Sequence, residues 1–135
     1  MYLGLDLGTS GLKGLLVSNQ QELIGSADAS YAVENSATGW SEQNPNDWIK
    51  AFESVMNSLS DRFQSQMSAL RGIGISGQMH GATLLDKDGT VIRSCILWND
   101  TRSFKEEKKM DDIGAFREIS GNIVFPGFTA PKLSW

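Results

Sequence analysis

Leu3, Leu5 and Leu7 alternate with Tyr2, Gly4 and Asp6, and this two-residue period predicts a half-buried first strand. Gly8-Thr9-Ser10-Gly11 breaks the pattern, and extended character resumes over Leu12 to Ser18, so the first two strands are expected to form a hairpin. Asn19-Gln20-Gln21 supplies a second turn before a third strand from Glu22 to Ala29. Tyr31 to Gln43 has little periodicity and reads as a loop. Asn44 then suits a helix N-cap, Pro45 the first helical position and Asp47 the positive end of the helix dipole. Trp48, Phe52, Val55, Met56, Leu59, Phe63 and Met67 recur every three or four residues. They predict one apolar stripe along a helix of about twenty residues.

Leu70 to Ser76 alternates again as a strand, which Gly77 to Gly81 ends. Ala82 to Leu85 and Thr90 to Arg93 are expected to pair around Asp86-Lys87-Asp88-Gly89. That turn lacks the remaining ligand positions of a calcium loop. A short apolar run from Cys95 to Trp98, a polar helix from Arg102 and an irregular end follow. Residues 131–135 resemble the beginning of an element. Hairpins, a long helix and a further strand predict a mixed α/β layer.

Composition narrows the function class. The 135 residues amount to one domain, and 12 Lys plus Arg against 16 Asp plus Glu leave a net charge of −4. This balance argues against a nucleic-acid binder, and Lys105 to Lys109, interrupted by Glu106 and Glu107, reads as a solvated helix face. The single cysteine, Cys95, excludes an internal disulfide, suits a reducing compartment and reads as a buried small hydrophobe. No apolar run reaches the ~20 residues of a membrane span. Asp6 and Gly8 interrupt the N-terminal stretch and no basic residue precedes it, so no secretory signal is expected and the cytoplasm is the default.

Two motifs are decoys. Gly72-Ile73-Gly74-Ile75-Ser76-Gly77 fits a dinucleotide fingerprint by spacing, but its glycines lie inside a strand and no helical pattern follows. Gly74-Ile75-Ser76-Gly77 falls one residue short of a nucleophile elbow, and the chain has one histidine.

Asp6-Leu7-Gly8-Thr9-Ser10-Gly11-Leu12-Lys13 carries more chemistry. A carboxylate ends one strand, a turn of small residues follows, and a lysine stands on the next strand. Such a turn aims N–H and hydroxyl donors at a phosphate, the lysine neutralises charge, and the carboxylate holds Mg²⁺ directly or through water. By itself the segment serves equally well as an ordinary polar hairpin.

Four segments in fixed order resemble the carbohydrate kinases of the actin, hexokinase and heat-shock-ATPase superfamily, which include glycerol, gluconate and xylulose kinases. Besides the hairpin, they are Trp40-Ser41-Glu42-Gln43-Asn44-Pro45 with Trp48, Gly74 to Gly81 with Gln78-Met79-His80 inside it, and Leu97-Trp98-Asn99-Asp100-Thr101-Arg102 with the later Phe125 to Leu133 loop. The resemblance implies a ribonuclease-H-like α/β fold of the actin/hexokinase ATPase type, of which residues 1–135 are the N-terminal part of the first domain. It implies ATP and Mg²⁺, with phosphate bound by Gly8, Thr9, Ser10 and Lys13 and the metal and phosphates placed by Asp6. Met79, His80, Trp98 and Asp100 become sugar-pocket residues. Glycerol kinases carry Arg-Glu where this chain has Met79-His80, whereas xylulose kinases carry Met-His, so D-xylulose is the sugar implied.

Alternatives stay open at this point. Read without the family, His80 is a core histidine, Trp98 fills core, and Asp100 and Arg102 pair structurally. Another pentulose or polyol substrate, a non-catalytic actin-like nucleotide-binding module and a fragment inactive by itself remain rivals. The family's general base and adenosine loops match no segment here, so the 135 residues alone are expected to be inactive. Exposure of Phe125, Phe128 and Trp135 is expected to favour self-association.

Overall fold

The computed structural model describes residues 1–135, and its contacts divide them into two units. Met1–Ala32 and Asn46–Gln78 form the first, Val33–Pro45 and Met79–Trp135 the second.

The chain opens with β1 (Tyr2–Leu7), β2 (Gly11–Val17) and β3 (Leu23–Ser30), an antiparallel meander. A two-residue β4 (Glu42–Gln43) lies in the stretch expected to be loop. Then come α1 (Pro45–Arg62), α2 (Gln64–Ser68) and β5 (Gly72–Gly77). β5 pairs parallel with β1, giving the sheet order β3-β2-β1-β5. The fingerprint-like glycines are therefore strand residues, as their context required.

Leu3, Leu5 and Leu12 of the sheet and Ala51, Val55 and Leu59 of α1 make the core of this unit, joined by Ala27. The expected helix stripe needs two corrections. Ala51 takes the inner line with Val55 and Leu59 at four-residue spacing, while Phe52 is 37% exposed. Small residues let helix and sheet approach: a Cβ on Gly14 would lie 2.7 Å from Val55 Cγ1. The helix also stops at Arg62, where Phe63 leaves helical geometry and lays its ring against Gly25 of β3, so the last turn becomes α2.

The second unit has little regular structure. β4 pairs antiparallel with β6 (Cys95–Ile96), and three helices follow: α3 (Phe104–Ile113), α4 (Ala115–Ser120) and α5 (Thr129–Ser134). The hairpin expected over 82–93 is reduced to one bridge, Leu85–Val91, closed by Asp86 accepting from the N–H groups of Asp88 and Thr90. Its Leu84, Leu85 and Ile92 are exposed, so no apolar face rewards longer pairing. The polar helix starts two residues later than expected, at Phe104, and the Arg102 N–H before it donates to the Asp100 carboxylate at 2.9 Å. The end expected to be irregular holds α5 instead, with Pro131 in the first helical turn, where a missing N–H costs nothing.

Cys95, Ile96, Leu97 and Val124 are buried here beside Gln43, Asp100, Arg102, Ser103 and Lys132. Cys95 is the buried small hydrophobe expected, and burial pushes its thiol above the usual range. No helix is long and apolar enough to cross a membrane.

Candidate functional site

In the first unit the alternation of β1 puts Asp6 on the face away from the leucines. Register places Lys13 of β2 on one side of Asp6 and Ser76 of β5 on the other. All three line an open cleft of about 460 Å³ with Gly4 and Gly74 on its floor. The absence of side chains at those two positions keeps the face accessible. No group of three or more His, Cys, Asp or Glu converges on a metal-sized space. A single carboxylate suits Mg²⁺ when phosphate oxygens and water supply the other ligands.

The turn after β1 is braced from within the same unit. Its first bond runs from the Gly8 N–H to the Gly11 carbonyl at 3.0 Å. The Gly8 carbonyl accepts from the Tyr31 hydroxyl at 2.6 Å and from Gln78 Nε2 at 3.2 Å, and Gln78 Oε1 lies 3.5 Å from the Thr9 hydroxyl. Burial, then the negative charge of Asp6, raise the Tyr31 phenol above its ordinary value, so it remains a donor. Thr9 and Ser10 thus sit on a turn whose carbonyl edge is pulled inward. Sequence reading missed both braces. Tyr31 lies in an aperiodic stretch, and Gln78 was quoted only as part of the segment around Met79-His80.

In the second unit Met79, His80, Trp98 and Asp100 line one cleft of about 360 Å³ with the Phe125 to Phe128 loop. Met79 is 65% and Trp98 49% exposed, so neither is core. His80 is half-buried, with its ring 4.5 Å from that of Phe128. Gly127 is required where the loop meets Trp98, because a Cβ there would lie 2.0 Å from the Trp98 carbonyl oxygen. Of the apolar side chains expected on the surface, Phe125 and Trp135 are about half exposed, while Phe128 is half-buried against His80.

Asp100 lines the same cleft, but its carboxylate faces inward. It accepts the Ser41 N–H at 2.6 Å and the Arg102 guanidinium through Nε and Nη2, the latter at 2.7 Å. Burial alone would raise the Asp100 carboxyl; the hydrogen bonds and charge of Arg102, with the Ser41 N–H, hold it below its ordinary value. Arg102 also reaches Glu42 at 2.7 Å, and its guanidinium lies 3.7 Å from the Trp40 ring centre and 5.1 Å from that of Trp135. Arg93 adds a second bond to Glu42 at 2.5 Å. The structural pairing of Asp100 and Arg102 is the geometry observed. Glu42, Arg93 and Trp40 complete it, and no periodic signal marks them.

The whole chain, residues 1–135, matches the model for the FGGY family of carbohydrate kinases, N-terminal domain. It is 46% identical over 136 residues to a xylulose kinase of Klebsiella pneumoniae and 43% identical to one of Escherichia coli strain K12, covering all of this chain and 28% of each relative. Among solved structures, a "xyloylose kinase" from Brucella ovis superposes with a TM-score of 0.97 at 56% identity, over 99% of this chain and 28% of that one. A Plasmodium falciparum glycerol kinase with ADP shares the fold alone, at 20% identity and a TM-score of 0.88. The α/β architecture is therefore the actin/hexokinase-like ATPase fold expected from the sequence. With the meander, its crossover helix and both clefts in place over that full length, the chain belongs to the FGGY family of carbohydrate kinases, whose N-terminal domain it matches.

Proposed function

We propose that this chain is the N-terminal part of the first domain of an ATP-dependent kinase that converts D-xylulose to D-xylulose 5-phosphate. The observation that carries the reading is the Met79-His80 pair. It lines a cleft with a half-exposed Trp98, in a chain 46% identical to a xylulose kinase over its full length. The chain spans 28% of the length of that relative, and the family resemblance would put the general base and the adenosine site in segments other than residues 1–135.

In the reaction proposed, the sugar's 5-hydroxyl oxygen bonds to the γ-phosphorus and the bond to the β–γ bridging oxygen breaks. The hydroxyl proton leaves to a base, and ADP departs. Asp6 is the residue here that would hold Mg²⁺, which when bound neutralises phosphate charge. Lys13 adds a positive charge on the same face, and Thr9 and Ser10 offer donors from the braced turn. His80 donates to or accepts from a sugar hydroxyl, Met79 gives an adaptable apolar wall, and Trp98 offers a ring to the sugar's apolar face. Asp100, its carboxylate satisfied internally, frames this wall without touching the sugar. A non-catalytic nucleotide-binding module would leave the second cleft without an occupant.

Coupled ADP-release kinetics of the full-length protein with D-xylulose, other pentuloses and glycerol tests the assignment. D-Xylulose should give the highest kcat/KM. Asp6→Asn should lower kcat with little change in sugar KM, and His80→Ala should raise sugar KM, by roughly two- to tenfold for one lost hydrogen bond, more than ATP KM. Near-normal turnover of Asp6→Asn at saturating ATP would remove Asp6 from the phosphate site. Equal His80→Ala effects on both substrates would remove His80 from the sugar site.

A further inference from the structure

His80 has a left-handed backbone, φ 61°. Side chains other than glycine adopt that region rarely, and the surroundings must hold them there. The Gly81 N–H closes onto the Met79 carbonyl at 2.8 Å, making a tight turn with His80 at its apex. The His80 carbonyl is turned toward α5. It accepts from the Thr129 hydroxyl at 3.2 Å and from Lys132 Nζ at 3.0 Å, while Phe128, the residue before α5, stacks on the imidazole. One short segment thus holds His80 at both its backbone and its ring.

Lys132 is an unusual choice for that task. It is 5% exposed, and its ammonium makes no salt bridge; its hydrogen bond goes to a backbone carbonyl. Burial lowers its pKa to about 8, against upward pulls from Cys95 and Asp100 and a downward push from Arg102. Keeping an amine in such a place works against stability, because a buried cation wants a counter-charge. A methionine of similar length would fill the space without that cost. What the amine supplies, and an apolar chain does not, is a donor to the oxygen of the strained residue.

We infer that Lys132, with Thr129, is a positioning residue that fixes the left-handed turn of His80 and so aims its imidazole into the cleft. This rests on the sugar-site reading of His80 given above. Lys132 touches no reactant; it acts through the His80 carbonyl.

The test is a double-mutant cycle in the full-length protein with D-xylulose and ATP. Lys132→Met should raise the sugar KM by roughly two- to tenfold and by no more than His80→Ala does, while ATP KM stays within twofold. Thr129→Val should act in the same direction more weakly, and Thr129→Ser, which keeps the hydroxyl, should restore the sugar KM. In a His80→Ala background neither substitution should change the sugar KM further, because the ring they aim is gone. If Lys132→Met does not fold, Thr129→Val and Thr129→Ser carry the same cycle. Equal effects on both substrates, or effects that multiply with His80→Ala, would overturn the positioning role. If His80→Ala itself leaves the sugar KM unchanged, the sugar-site reading fails first, and that result is separable from the failure of Lys132.

Discussion

The two units of this chain are held by different physics. In the first, seven apolar residues from Leu3 to Leu59 make the core, and the one buried polar residue is Ser18. In the second, Asp100, Arg102, Gln43, Ser41, Ser103 and Lys132 are as buried as Cys95, Ile96 and Leu97. An apolar core loses stability in proportion to the surface and volume removed, and its neighbours relax partly into the gap. A buried ionic network fails when one member is lost, because the partner's charge then stands in low dielectric without compensation. The first unit should therefore degrade gradually under substitution and the second abruptly.

The largest effect expected is at Arg102. Arg102→Leu keeps volume between Trp40 and Trp135 but leaves the Asp100 carboxylate buried with only backbone donors, and Glu42 with Arg93 alone. A loss of about 3–5 kcal/mol is expected in urea unfolding. Adding Asp100→Asn to that variant should recover part of the loss, since the stranded charge disappears. If the double variant is as unstable as the sum of the two singles, the network account fails.

Leu59→Ala probes the other side of the comparison. Leu59 is fully buried against the meander, so the loss should be about 2–4 kcal/mol, and Leu59→Met should keep most of the stability because volume is conserved. A Leu59→Met loss as large as that of Leu59→Ala would show that shape, not burial, dominates this core.

The same contrast explains what the sequence made legible. Alternation over 1–17 and the spacing of Val55 and Leu59 located β1, β2 and α1, because an apolar core must write its period into the chain. Ala51 was overlooked because an alanine barely registers as hydrophobic, although it is buried in the core beside Val55 and Leu59. The second unit writes no such period. Its network residues, Glu42, Arg93, Asp100 and Arg102, are scattered singly, and an arginine destined for burial looks like any surface arginine. The expected hairpin at 82–93 failed for the same reason: alternation predicts a strand only where a second layer covers one face. The candidate site was read mainly through resemblance. Residue chemistry alone left the Asp6 hairpin undecided, favoured a core histidine at His80, and gave no hint of Tyr31, Gln78 or Thr129 as supports.

The smallest effect expected lies inside the second unit, at an ion pair that is not buried. Asp111 of α3 accepts from the Arg117 guanidinium of α4 through both carboxylate oxygens, and Asp111 Oδ1 also accepts the Val124 N–H at 3.2 Å. Arg117 is half exposed, so water and salt compete for the pair. Its hydrogen bonds, led by Arg117, bring the Asp111 carboxyl from 3.8 to about 2. Because the folded value is depressed, the stability it contributes is present above the unfolded carboxylate range and is lost as pH falls from about 4 through about 2. Asp100, also depressed, titrates out in the same direction, below its ordinary 3.8. Salt separates the two. The destabilisation caused by Asp111→Asn at pH 7 should be smaller than that of either core variant. It should shrink when sodium chloride is raised from 0.05 to about 1 M, where screening reaches about 3 Å. That of Asp100→Asn should be nearly salt-independent, because its partners exclude solvent. An Asp100→Asn loss that fades with salt as the Asp111→Asn loss does would mean that the Arg102 network is wet, and the contrast between the two units would then collapse to one of composition.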